Sequence, residues 1–263
     1  DYILMFPLGL AMKGAALATG FSPVVGILIC CIHFFSRKST IKLIPVLPSI
    51  KKLIYSCQVG VSAFVGEISS GVITVTFNMI ILNLAGNTGV AAYGVVANTS
   101  LVAVALFNGI AQGSQPLISR SYGRGEEQNV RSLLKMALTT ALGLGVLLMI
   151  FIFFSAPAVT AVFNSEHDLQ LAAYADSGLR LYFIGFLFAG INIVGTAALS
   201  AVESVKYAFC ASISRGFVAT IFFAFVLSAC FKMTGIWLAF PAAEFATMFI
   251  TLSGLLCFTK QKG

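Results

Sequence analysis

The sequence predicts an all-α integral membrane protein, a helical bundle of about seven transmembrane helices preceded by a partial one. Three observations carry that prediction. Of the 263 residues, 59% are apolar and only 10% are charged, against roughly 25% charged in soluble domains. Mean hydropathy is +0.98. The charges are clustered, and the apolar runs between them reach the ~20 residues that a helix needs to cross a bilayer.

An apolar stub, Tyr2 to Leu10, comes first. At about 1.5 Å per helical residue it covers about half of a hydrocarbon core, so it reads as the end of a helix that begins upstream. The chain opens on Asp1 and shows no signal peptide, and it is expected to be a fragment. Full spans follow at about 14–36, 53–82, 90–118, 130–155, 170–200, 207–231 and 234–258, each bounded by charge clusters. The third is the most informative. Asn108, Gln112, Gln115 and Ser119 recur at i, i+4, i+7 and i+11 and so share one helical face, with Asn98 further up the same span. Amides in a span need a partner or a water-lined path, so this face is expected to meet a cavity or another helix.

Smaller signals complete the reading. Gly109-x-x-x-Gly113 is expected to make a helix packing contact. Asn98-Thr-Ser100 matches a glycosylation sequon but lies inside a span. Gly123-Arg-Gly125 lacks the Lys-Ser/Thr of a phosphate loop and reads as a turn between helices. Ser165-Glu-His-Asp168 resembles a capping box opening the fifth span, and Trp237 reads as an interface anchor.

Twelve Lys and Arg residues, among them Arg37, Lys51, Arg124, Lys206 and Lys260, fall in alternate loops on one side, whereas Lys13 and Lys232 fall on the other. The positive-inside rule makes the first side, with the C-terminus, cytoplasmic. The net charge of +7 is then a consequence of topology, and no nucleic-acid partner is expected. The six cysteines contain no C-x-x-C pair and read as small packing residues, and neither His33 nor His167 has a second ligand nearby, so no metal site and no cofactor are expected.

Met12, Gly14, Leu17 and Ala18 match Met233, Gly235, Leu238 and Ala239 at a constant offset of 221 residues. Such parallel repeats build transporters around a central site. On this division 1–36 finishes one bundle, 37–52 is a basic cytoplasmic linker with Pro45 and Pro48, and 53–263 is a complete six-helix lobe.

Here the chain resembles the multidrug and toxic compound extrusion (MATE) family. The residues that carry the likeness are Gly14-Ala-Ala-Leu-Ala-Thr19, Ala92-Tyr93-Gly94-Val-Val-Ala97-Asn98, Gly109-Ile-Ala-Gln112-Gly113-Ser-Gln115-Pro116 with Tyr122-Gly123, and Gly235-Ile-Trp237-Leu-Ala239-Phe-Pro241-Ala-Ala-Glu244. The resemblance implies a twelve-helix, two-lobe secondary antiporter in a bacterial plasma membrane, multi-pass, exporting small organic and often cationic compounds in exchange for H+ or Na+. This chain would supply the end of the fifth helix and helices six to twelve, and its partners would be the bilayer and a missing N-terminal lobe.

Glu67 lies about 21 Å into its helix, on a face shared with Gly71, Thr74 and Asn78. A carboxylate at that depth either takes up a proton or binds a cation. A protonated Glu67 donating a structural hydrogen bond is the competing reading. The resemblance places it where the family carries a carboxylate implicated in ion coupling, on the seventh helix. The sodium-coupled branch has an Asp on its tenth helix, at a position aligned with Ala189; here only Asn192 and Thr196 stand nearby, which favours protons at least as much as sodium. Tyr182, Asn192 and Thr196 share one face, which either lines the cavity or packs against a neighbour. Arg215 and Glu244, on consecutive spans, are candidates for a structural ion pair or for a transport role.

A flippase for lipid-linked oligosaccharides is the alternative function. Its diphosphate headgroup calls for convergent cations, and only Arg180 and Arg215 lie in or near spans. An intramembrane enzyme is a further alternative, but paired aspartates, H-E-x-x-H and a Ser–His dyad are missing, so no enzymatic activity is expected.

Overall fold

The structure, a computed structural model, describes residues 11–34, 49–164 and 167–261. They fall into two compact units, divided between Ile50 and Lys51.

The first unit contains α1, Ala11–Phe34, with Pro23 inside it. Its Gly20–Ile32 stretch is apolar. The second unit is all-helical. It contains α2 (Ile50–Gly123) from Lys51 onward, α3 (Glu127–Phe163), α4 (Leu169–Tyr182), a 3-10 turn (Phe183–Gly185), α5 (Phe186–Ala201), α6 (Val205–Ile213), a π turn (Ser214–Val218) and α7 (Ala219–Gln261).

Two of these helices are broken. In α2 the break is Gly86, at φ 63° and ψ −157°, a conformation open to glycine because it has no Cβ. The chain folds back there. The Phe77 and Tyr93 rings lie 5.5 Å apart, although 16 residues of straight helix would separate them by about 24 Å. In α7 the break is Lys232, at φ 51°, and Gly235 then lies directly against the Leu227 carbonyl.

Six helical segments result, covering 50–85, 87–123, 127–163, 169–201, 205–231 and 233–261. Each of the last six spans expected from the sequence lies inside one of them. The segments run past the expected ends, by eight residues at Phe163, because a helix continues beyond the hydrocarbon core wherever the chain keeps its backbone hydrogen bonds.

Segment 169–201 is the centre of the unit, with 61% of its apolar window buried against 17% for α3. Gly178 faces the Trp237 ring, Gly190 faces Phe107 and Gly145 of α3 touches the Phe186 carbonyl. Small residues let helices approach where lipid offers no hydrophobic drive to associate. Leu179, Phe183 and Phe186 of this segment form one buried cluster with Phe77, Tyr93, Phe107 and Trp237. A second cluster, with Ile118, Leu134, Leu199 and Leu255, lies toward the other end.

Four expectations are corrected here. Trp237 is 1% exposed and sits in the core, near the Tyr93 ring at 6.4 Å, so it is not an interface anchor. Gly109 and Gly113 have open space where a Cβ would stand and make no packing contact within the unit. Asp168 itself caps α4, accepting from the backbone N–H groups of Gln170 and Leu171, so the cap falls three residues after Ser165. Of the six cysteines, all except the half-buried Cys257 are exposed, so they do not fill the interior.

Candidate functional site

The densest polar chemistry in the second unit joins the last three segments. On α5, Asn192 stands in an otherwise apolar run and is fully buried. Its Nδ2 donates to the Glu244 backbone carbonyl at 2.8 Å and to Glu244 Oε2 at 2.7 Å. Its Oδ1 accepts from Thr251 Oγ1 at 2.9 Å.

The other carboxylate oxygen of Glu244 pairs with Arg215, whose Nε lies 2.6 Å from Oε1. Glu244 is 2% exposed and Arg215 30% exposed. Arg215 comes from the π turn, where one extra residue widens the helix. The widened turn is tied down on several sides. Ser214 and Thr247 share a hydrogen bond of 3.1 Å, Thr220 Oγ1 donates to the Arg215 carbonyl, and Gly216 lies against the Ser69 side chain of α2.

Burying a charge in a membrane is tolerated when it is paired and its remaining lone pairs are satisfied. Glu244 meets both conditions. The network therefore acts chemically as a neutral, closed link between helices, with both carboxylate oxygens engaged. Glu244, Thr247 and Thr251 stand at i, i+3 and i+7, so one face of α7 supplies three of its members. That spacing was readable, but Ser214, Thr247 and Thr251 are not among the residues singled out from the sequence.

The remaining candidates are distributed differently. Tyr182 is buried, its ring stacked on Phe240 at 4.2 Å. With Asn192 it faces the interior of the unit, and Thr196 is half-buried. Asn98, Asn108, Gln112 and Ser119 are exposed and Gln115 is half-buried, all along segment 87–123. The face about 100° round the helix, with Ala103, Phe107, Ala111 and Ile118, is in the core. Asn98 turns its amide back to the Gly94 carbonyl at 2.8 Å. Thr74 is exposed, donates to the Ser70 carbonyl and lies beside the Tyr93 phenol. Asn78 is half-buried. The backbone of Glu67 is helical within α2, and its side chain lies outside the described residues, as does that of His33.

A groove of about 230 Å³ lies at the α3–α4 turn, lined by Thr160, Asn164, His167, Asp168 and Asp176 among others. Thr160 donates to Asp176 at 2.6 Å, and Asn164 clasps the backbone of Asp168. These contacts stiffen the turn. Among the described residues, no three His, Cys, Asp or Glu side chains converge as metal ligands would.

A family model described as MatE matches residues 63–226. The multidrug export protein MepA of Staphylococcus saprophyticus is 27% identical over 246 residues, which is 93% of this chain and 53% of that protein. MepA of Staphylococcus aureus strain MSSA476 is 24% identical over 247 residues, again with 93% of this chain and 53% of the relative covered. The chain thus spans about half the length of the curated relatives it matches. Among solved structures, an outward-facing multidrug resistance MATE family transporter superposes with a TM-score of 0.89 at 20% identity, covering 100% of this chain and 59% of that one. A MATE crystal structure in complex with MaL6 also gives 0.89, at 19% identity and 60% coverage of its chain. At such identities the likeness shows a shared fold.

Proposed function

Since this chain belongs to the MatE family, we propose that it supplies the second lobe of a secondary multidrug antiporter and one wall of its substrate path. The observation that carries the proposal is the exposed polar face of segment 87–123. Asn98, Asn108, Gln112 and Ser119 are exposed there, with open space above Gly109 and Gly113. Amides turned toward lipid would lack partners and cost free energy, so a face of this kind borders water or another protein surface. Small organic cations are the substrates it suits, because amide carbonyls attract positive charge without fixing one geometry.

The exchanged ion is H+ or Na+, with Glu67 on α2 as the coupling carboxylate. Residues 1–36 finish the first lobe, whose other helices lie upstream, and 37–52 links the two lobes. The protein sits in a bacterial plasma membrane with its C-terminus in the cytoplasm, as the distribution of basic loops requires.

The test is efflux of ethidium, an organic cation, from bacteria lacking their own pumps and expressing the full-length protein. Energy-dependent export is expected, together with weaker export by Gln112→Leu and Asn108→Leu variants of unchanged abundance. Wild-type export indistinguishable from empty cells, across a panel of organic cations, would refute the proposal. In the same cells, labelling of a cysteine placed beside Arg124 by an external reagent would reverse the orientation.

A further inference from the structure

We infer that Arg180 binds the phosphate of an anionic phospholipid near the 164–168 end of the second unit. The inference rests on the chain's residence in a bilayer and not on what it transports. Arg180 stands 11 residues after Leu169, about 16 Å along the helix. Segment 169–201 has 33 residues, so it is about 50 Å long and exceeds a hydrocarbon core by about 20 Å. With that excess shared between its ends, Arg180 falls about 6 Å inside the headgroup boundary. An arginine side chain spans that distance by extending toward the phosphates.

Among the described residues Arg180 makes no ion pair, because Asp176, one turn earlier on the same helix, is turned to Thr160 and accepts its hydroxyl. The Arg180 side chain is exposed, and its guanidinium lies 5.4 Å from the centroid of the Phe153 ring. Arg180 belongs neither to the ion pair of Arg124 with Glu126 nor to that of Arg215 with Glu244. The ring attracts the cation from one side. A planar guanidinium keeps further N–H groups for two oxygens of one phosphate.

The neighbouring surface suits a lipid. Phe153 and Phe154 of α3 are exposed, their rings 5.5 Å apart, and offer an apolar bed for acyl chains on the helix whose apolar window is 17% buried. On the other side, Gln170, Ala173 and Ser177 are exposed ten, seven and three residues before Arg180. They share its helical face and form a polar approach from the headgroup region. A headgroup with net negative charge is favoured over a zwitterionic one, because it brings no ammonium to compete with the guanidinium.

The experiment counts bound lipids by native mass spectrometry on the full-length protein, delipidated in detergent and titrated with dioleoyl phosphatidylglycerol or dioleoyl phosphatidylcholine. Arg180→Gln is expected to weaken the first phosphatidylglycerol site about tenfold and to leave phosphatidylcholine binding unchanged. Arg180→Lys, which keeps the charge and loses the fork, is expected to fall between. Helical content by circular dichroism checks that each variant is folded. Equal phosphatidylglycerol binding by wild type and Arg180→Gln would overturn the assignment, and lost drug export alongside that equal binding would place Arg180 in the transport path instead. Lipid counting does not require export, so a failure of the transport proposal leaves this test intact.

Discussion

Arg215 and Glu244, 29 residues apart in the chain, meet at 2.6 Å between Nε and Oε1, and the same carboxylate is held from the opposite side by Asn192. One buried acid thus links segments 169–201, 205–231 and 233–261. Its charge is balanced by Arg215 and its orientation is fixed by an amide. A carboxylate with both oxygens engaged in this way is poorly placed to take up and release a transported cation.

Removing one partner of this pair is expected to cost more than removing both. Arg215→Met leaves an uncompensated carboxylate in the interior, a loss of about 3–5 kcal/mol. The double variant Arg215→Met/Glu244→Met removes both charges while keeping side-chain volume, and is expected to recover most of that stability. Thermal unfolding of the full-length protein in detergent, read for both single variants and the double, measures the coupling. Additive single effects would mean that the two charges do not interact.

The π turn is expected to tolerate no side chain at Gly216. A Cβ there would overlap the Ser69 side chain on α2, so Gly216→Ala forces the two helices apart at a cost of about 1–3 kcal/mol. Ser69→Gly, added to Gly216→Ala, opens the space again and should restore part of the loss. A double variant less stable than Gly216→Ala alone would show that another contact governs the site.

Periodicity and charge clusters made the helices legible, because lipid imposes long apolar runs and expels charges to the ends. The turn near Gly86 was legible for the same reason, since it falls in the short interval between two such runs. Which face of a helix turns inward was less so. In a soluble protein the apolar face marks the core, but in a bilayer the lipid-facing surface is equally apolar. Trp237 therefore read as an anchor at a span end although it packs over Gly178. Asn192 left two readings open, because an amide serves equally as a cavity group or as an internal partner. Its partner, Glu244, is 52 residues away, beyond any local pattern. The open face at Gly109 and Gly113 was hidden too, since small residues accompany both close packing and a water-lined path.

Glu67→Gln, made in the full-length protein, is expected to abolish ion-coupled export while leaving membrane insertion intact. The position lies 17 residues into α2, about 26 Å along it, where an ionised carboxylate must be compensated by a proton or a cation. Gln reproduces the shape and the hydrogen bonding of protonated Glu, but it neither releases a proton nor offers negative charge to a cation. A Glu67 that serves only as a neutral hydrogen-bond donor would accept the change, and so the substitution separates coupling from structure. Glu244→Gln provides the contrast, since it disturbs the pair with Arg215 and is expected to lower stability. In proteoliposomes, Glu67→Gln exchange equal to wild type under both a proton gradient and a sodium gradient would make Glu67 structural and move coupling to residues upstream of this chain.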